Sequence, residues 1–419
     1  MNNNRGLFDF IKKSPTPYHA VAEIRKRLLE CGFSEISEKD PSAYEIDSGF
    51  VIRDSSIIAF KGTLDSGFMI CASHNDTPAF KVKNTKSGTY AALATETYGG
   101  SIYYSWLDRP LSVAGRAAVE TADGVELRNV NIDRNLLTIP SVAIHMNRTV
   151  NEGVKLNPAV DLLPLYSLDK GAKIDELLAD ELSVSADEII SKDLFLYSRE
   201  EPVTFGAKDE LILSPRLDNL VSVYLSLEAF LDAEPGAISV LAVFDNEEVG
   251  SSTKQGAAST FLHDTLLRIA GDYDKYLSML PDSFMVSADN AHAKHPNHPE
   301  LSDPADCPIL GEGIAIKYNA NQRYTTDARS DAIFRTICKR AGAKVQSYSN
   351  RADMPGGSTL GGISSTAVSI CTVDIGIPQL AMHSSTETVA AADLTYMKDA
   401  LTEFYSTKIV TDNTNIKIV

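Results

Sequence analysis

Cysteine is scarce in this chain of 419 residues: five are present, and the nearest two, Cys307 and Cys338, stand 31 residues apart. That spacing excludes a disulfide framework and a thiolate zinc ribbon, and it suits a reducing compartment. Long apolar runs are missing too. The longest aliphatic stretches, such as 237–244, fall far short of the roughly 20 residues that span a bilayer, and the opening MNNNRGLFDFIKKS lacks the apolar core of a signal peptide. No membrane partner and a cytoplasmic location are therefore expected. Basic residues are outnumbered, 39 against 56 acidic, and the formal net charge of -17 repels phosphate backbones and anionic bilayers. No nucleic-acid partner is expected on that ground. No internal repeat of solenoid or propeller period occurs either. What is present is ordinary for a soluble globular chain, with 43% hydrophobic and 23% charged residues over a length that suits two or three domains and a large core.

Hydrophobic patterning divides the chain. Near the amino terminus, Thr16 suits a helix cap and Pro17 the first helical position, Val21, Ile24 and Leu28 share one face, and Gly32 ends the segment. His19 on that helix reads as a surface side chain. The runs 67–73, 237–244, 283–287 and 379–382 read as short strands buried on both faces. Each leads into residues able to bind ligands: His74, the DNEE of 245–248, Asp289 and His383. Open α/β sheets build their sites just past the carboxyl ends of such strands. Between Pro78 and Pro202 the texture shifts to alternating Val, Thr and Tyr, and VAGRAAVETADGVELRNV carries a hairpin signal with Asp123 and Gly124 as its turn. The prediction is an α/β domain formed by 1–79 and 203–419, interrupted by a β-rich insertion over 80–202. An acidic helix is expected over 174–190, the α/β pattern resumes near Leu211, and Leu394, Met397, Leu401 and Phe404 predict a final helix packed on the sheet.

Two of the eight histidines, His74 and His383, directly follow apolar strands. Asp76, two residues past His74, can hold the ring nitrogen that a metal does not use, although a lone strand-end histidine more often has a structural role than a metal. Asp218 opens the apolar helix of SPRLDNLVSVYLSLEAF and reads as a cap or as a ligand. DNEEVGS crowds Asp245, Glu247 and Glu248 into four residues, so either a cation neutralises them or the loop is fully solvated. His292, His295 and His298 recur at three-residue steps, but Pro296 and Pro299 break the helix that would align their rings, which leaves His295 and His298 as structural or surface residues. Together, His74, Asp218, Glu248, Asp289 and His383 offer only oxygen and imidazole donors, suited to zinc, manganese or cobalt. Two ions are accommodated better than one, with a shared aspartate between them and a bridging water acidified by both. Glu247, beside Glu248, is then placed to take that water's proton and hand it to a leaving amine. That is the pattern of metal-assisted amide hydrolysis.

In carrying these residues the chain resembles the aspartyl aminopeptidases, dinuclear zinc exopeptidases. The resemblance spans nearly the whole chain through ASHNDTPAFKVK, SVAIHMNR, NPAVDLLPL, ILSPRLDN, FDNEEVGS, SADNAHAKHPN, IKYNANQRY and PQLAMHSSTE, in the family's order. It implies a zinc-peptidase α/β sheet flanked by helices and interrupted by an inserted β-rich dimerisation domain. It further implies two Zn2+ per subunit, with Mn2+ or Co2+ as alternatives: His74 and Asp289 on one ion, Glu248 and His383 on the other, Asp218 bridging, and Glu247 as general base. By the same resemblance His145 reaches a neighbouring subunit's active site, His292, Lys317 and Tyr324 contact substrate, and the subunits form a homododecamer. Lys317 is the natural partner for an acidic side chain. The expected reaction removes the amino-terminal residue, Asp or Glu by preference, from peptides with a free amino terminus. The alternatives are the same chemistry with a neutral or aliphatic preference, and a dinuclear zinc deacylase or carboxypeptidase. The glycine-rich loop 355–362, PGGSTLGG, can offer amides to a carboxylate but lacks the Lys-Ser/Thr ending of a phosphate loop. Asn75, Thr77 and Asn290 depart from the family pattern and leave every liganding position intact.

Overall fold

A computed structural model describes residues 4–63, 66–354, 356–357, 359–412 and 414–419. Pro355 and Ser358 of the glycine-rich loop lie outside the described residues. The chain opens with α1 (Arg5–Lys13) and α2 (Pro17–Glu30), then β1 (Ser34–Ile36), β2 (Ser48–Arg53), β3 (Ser56–Lys61) and β4 (Phe68–His74). Next come β5 (Ala79–Lys86), β6 (Ala91–Tyr98), β7 (Leu111–Thr121), β8 (Gly124–Asn131), β9 (Leu165–Ser167), α3 (Ile174–Leu182) and β10 (Ile189–Ser198). The chain continues through β11 (Val203–Phe205), β12 (Leu211–Ser214), α4 (Leu217–Asp232), β13 (Ile238–Phe244), α5 (Phe261–Ala270), α6 (Tyr273–Met279), β14 (Phe284–Ala288) and β15 (Ala291–His292). It closes with β16 (Ile314–Tyr318), α7 (Ala328–Ala341), β17 (Val345–Ser349), α8 (Leu360–Ala367), β18 (Cys371–Gly376), β19 (Pro378–Leu380), β20 (Glu387–Ala390), α9 (Ala391–Tyr405), β21 (Ile409–Asp412) and β22 (Asn415–Ile418).

Nine strands form a central mixed sheet in the order β1-β2-β3-β13-β4-β14-β18-β16-β17. Within it β13, β4 and β14 lie side by side and parallel, each buried along its length. Successive side chains of a strand point to opposite faces. Thus Met69 and Cys71 of β4 join the core shared with α1, α2, α4, α7 and α9, while Phe68, Ile70 and Ala72 join the core under α5, α6 and α8. A strand covered on both faces must be apolar throughout, which is why β4 reads as an unbroken run. Each fully buried Leu, Ile or Phe in these layers contributes about 1.5–3 kcal/mol. The parallel alignment brings the carboxyl ends of three strands to one edge, with His74 ending β4, Asp289 following β14 and the Glu247–Val249 turn following β13.

The run 379–382 departs from its expected place. Only Pro378–Leu380 is strand, and it belongs to a separate five-stranded sheet, β11-β12-β20-β19-β15. The chain leaves the central sheet at Gly376, where a Cβ would lie 1.9 Å from the Asp289 carbonyl oxygen, so only glycine permits the crossing. This smaller sheet carries β12, which leads to Asp218, and β19, which leads to His383.

The segment from Ala79 to Ser198 builds its own six-stranded sheet, β8-β7-β10-β5-β6-β9, around Phe80, Trp106, Val113, Leu178 and Leu194. Its β7–β8 hairpin forms with Ala122 and Asp123 at the turn, since Gly124 already pairs with Thr121. The helix expected over 174–190 stops at Leu182. Ser183 adopts left-handed backbone (φ 54) and the Val184 amide reaches the Ala179 carbonyl at 3.0 Å, closing the helix end. Thr16 does occupy the cap position of α2, but its Oγ1 meets the His19 ring at 2.8 Å instead of a backbone amide, and His19 is half-buried rather than a surface residue. α9 buries Leu394, Met397, Leu401 and Phe404 as expected, and a β21–β22 hairpin follows it. Among the described residues, no helix is long and apolar enough to cross a membrane.

Candidate metal centre and active site

His74, Asp289 and Glu248 come from the edge of the central sheet, Asp218 and His383 from the smaller one, and all five meet. His74 Nε2 stands 3.5 Å from Asp289 Oδ1 and 3.7 Å from Asp218 Oδ1. The second oxygen of Asp218 lies 3.3 Å from His383 Nε2, which is 3.5 Å from Glu248 Oε1. Three donor groups result, His74–Asp218–Asp289, Asp218–Glu248–His383 and His74–Glu247–Glu248, each with its atoms within 4.8 Å of one another, and the first two share Asp218. Asp218 offers one oxygen to each of those two. Asp218 Oδ1 and Glu248 Oε1 are buried and accept no hydrogen bond from the described residues. Buried carboxylate oxygens without donors are costly unless a cation meets them, and oxygen with imidazole is a donor set that zinc accepts. The residues therefore fit a divalent metal.

Each side chain is held from behind. His74 Nδ1 faces the Asp76 carbonyl oxygen at 3.1 Å and its carboxylate at 3.3 Å, and His383 Nδ1 faces the Gly100 carbonyl at 3.2 Å, so both rings turn Nε2 to the centre. Asp76 also accepts the amides of Glu247 and Glu248, both at 3.1 Å, and the Tyr98 hydroxyl at 2.7 Å. Buried Glu387 accepts the amides of Asp218 and His383 at 2.9 and 2.7 Å. Asp218 does not cap α4, whose first turn is distorted at Asp218 and Asn219 across a cis peptide.

Negative charge dominates the electrostatics. Burial raises the Glu247 carboxyl to about 7; His74 opposes the shift, while Asp289, Asp76 and Asp218 add to it. Burial and the Asp218 charge raise Glu248 well above the usual carboxylate range, and the same two causes bring Glu387 to about 8. Burial pulls both imidazoles down, but it is outweighed by Asp289 and Asp76 at His74, which is raised well above its ordinary value, and by Asp218 and Glu248 at His383, raised to about 10. Carboxylates at this spacing demand positive charge, which divalent cations supply.

A cavity of about 120 Å³ beside these groups is lined by Glu247, His292, Lys317, Tyr324, Tyr348 and Thr359, among others. Lys317 is fully buried, with Nζ 3.3 Å from Asp289 Oδ2 and 5.4 Å from the Tyr324 ring centre. Asp245 turns away from the centre, accepting hydrogen bonds from Ser55 and from the Asn246 amide at 2.7 Å. His145 is exposed between β8 and β9 and does not line this cavity of its own subunit. His295 and His298 face each other, ring centres 5.3 Å apart, outside the cavity lining. Sequence reading missed three supporting residues: Glu387, Tyr98 and Asp374. The last is buried and accepts the Thr325 amide at 2.6 Å and the Thr325 and Thr359 hydroxyls at 2.7 and 2.6 Å, tying two walls of the cavity together. Glu387 has a local signal, four residues after His383. Tyr98 and Asp374 have none, because their partners are distant in sequence.

Imidazoles and carboxylates gathered at the edge of a mixed sheet, with a further glutamate, Glu247, beside them, are the makings of a metal-dependent hydrolase. The chain belongs to the M18 family, described as aminopeptidase I zinc metalloprotease, whose profile matches residues 10–405. It is similar to the "Probable M18 family aminopeptidase 2" of Clostridium acetobutylicum, 42% identical over 424 residues that cover 96% of this chain and 98% of that protein. The protein of the same description from Clostridium novyi is 44% identical over 422 residues, with the same coverage. Among solved structures, the Ape4 and Nbr1 complex includes a chain 35% identical to this one, with TM-score 0.91 over 96% of this chain and 84% of that one. The S. cerevisiae mApe1 dodecamer shares the fold at 24% identity and TM-score 0.83, covering 96% and 95% of the two chains. The reaction class is thus zinc-dependent aminopeptidase hydrolysis.

Proposed function

We propose that the chain removes the amino-terminal residue of peptides at a centre of two zinc ions, with Asp or Glu preferred in the first position. The observation that carries this reading is the double donor set sharing Asp218. His74 and Asp289 would hold one ion, Glu248 and His383 the other, and manganese or cobalt suits the same donors. When bound, the ions polarise the scissile carbonyl and acidify water. Glu247, lining the cavity beside the donor groups, takes the proton at its carboxylate and returns it to the departing amine. His292 and Tyr324 flank the substrate, and Lys317 offers its ammonium to an acidic side chain. His145, exposed on the insertion, completes the site of a neighbouring subunit. The segment 80–202 acts as a dimerisation domain within a homododecamer, the assembly named for S. cerevisiae mApe1; exposed Tyr104, Met146, Val160 and Leu168 support a self-associating surface. The five unpaired cysteines accord with a cytoplasmic location.

One observation favours a second reading. Lys317 already faces Asp289, and a lysine neutralised there leaves the pocket to neutral or aliphatic side chains. A paired assay decides: amino-terminal Asp, Glu and Leu chromogenic substrates are compared after chelation and again after zinc, manganese or cobalt is restored. Metal-dependent activity highest on Asp or Glu supports the acidic pocket. Preference for Leu removes that pocket and keeps the peptidase, whereas hydrolysis of an amino-terminally acetylated substrate points to a deacylase or carboxypeptidase.

A further inference from the structure

A peptide whose first residue fills the cavity beside the metal centre must lay its second residue against protein nearby. Two other cavities border that centre. One, of about 30 Å³ and touching Asp76 and Asp218, has room for water but not for a side chain. The other, of about 320 Å³, lies across His292 and Tyr348, which it shares as walls with the cavity at the metals. Its lining includes Leu301, Met354 and Leu380, and Leu301 and Met354 remain 50% and 40% exposed, large apolar side chains left facing solvent. Its lining carries both acidic and basic groups, His295 and Arg351 among the latter. Asp303 and Asp306 supply carboxylates, while the Arg351 guanidinium is occupied by Asp353 at 2.8 and 2.9 Å and by the Glu300 carbonyl.

We propose that this larger cavity is the subsite for the side chain of the peptide's second residue, and that it takes an apolar side chain and disfavours an acidic one. The inference rests on the aminopeptidase reading above. A leucine entering it trades water for Leu301, Met354 and Leu380, whereas an aspartate meets two carboxylates on a wall whose arginine is already engaged.

The test uses peptide amides that share the protein's preferred first residue and carry Gly, Leu or Asp second, and compares kcat/KM on the zinc-loaded full chain. Leu is expected above Gly by about tenfold, and Asp below Gly. Ser302→Trp, which fills the cavity, is expected to bring the Leu-to-Gly ratio towards one, and Asp306→Asn to raise the Asp-to-Gly ratio. Because each readout is a ratio of two substrates on one sample, a general loss of folded or metal-loaded protein cancels. A Leu-to-Gly ratio near one in the unaltered protein, or ratios that neither substitution moves, would overturn the subsite while the peptidase stands. No release of the first residue from any amide would overturn the aminopeptidase reading, and the subsite with it.

Discussion

Glu247 is the residue on which the proposed chemistry turns, and its surroundings separate its role from that of Glu248. Both amides are pinned by Asp76 and both carboxylates stand near His74, yet Glu248 also lies with His383 and Asp218 while Glu247 lines the cavity beside the centre. Glu247→Gln keeps the shape and removes the proton carrier. It is expected to lower kcat by about 10²–10⁴ with metal content unchanged, measured as turnover and bound zinc on the same sample; near-normal turnover would sink the assignment. Tyr98 tests the layer behind the ligands. Its hydroxyl donates to Asp76 and accepts from Asn246 at 2.9 Å, so Tyr98→Phe loosens the support of His74 and of the Glu247–Glu248 turn. Zinc affinity in chelator competition is expected to fall about tenfold, and unchanged affinity would make Tyr98 a packing residue only. His74, Glu248, Asp289 and His383 were legible as candidate ligands because each follows its own apolar run in sequence. Tyr98 and Asp374 were not, because their hydrogen bonds join positions that no local pattern connects.

At the scale of elements, legibility followed the strength of the local pattern. Strands β4, β13 and β14, covered on both faces, announce themselves as apolar runs. α3 was overextended because the left-handed turn at Ser183 is made by a residue with no strong preference for it, and β19 was placed in the wrong sheet because three residues carry no pairing information. α2 offers a measurable consequence of the His19 correction. Burial lowers the His19 pKa from its ordinary 6.5 to about 4. Between those values the unfolded chain binds a proton at His19 and the folded chain does not, so stability is fully present above about pH 6.5 and declines as pH falls towards 4. Urea unfolding midpoints followed across that window are expected to drop less steeply for His19→Gln than for the unaltered chain; parallel slopes would return His19 to the surface.

For the whole molecule, the metal centre is also a question of stability. A chain of net charge -17 concentrates Asp76, Asp218, Glu247, Glu248, Asp289 and Glu387 where two sheets meet, and burial holds Glu247 near 7 and Glu387 near 8. A carboxyl whose folded pKa lies above its unfolded value favours folding fully at low pH, and that contribution disappears as pH rises through the folded value. His383, raised to about 10, acts in the same direction, because its favourable proton is lost at still higher pH. The metal-free protein is therefore expected to lose thermal stability as pH rises from about 6 to about 8. Zinc reverses the trend, since it neutralises the carboxylates and binds best where protons compete least. The difference in Tm between zinc-loaded and chelated protein should consequently widen across that interval. A difference that stays constant or narrows would show that these carboxyls do not carry the repulsion their crowding implies, and would remove the electrostatic case for cations at this junction of the two sheets.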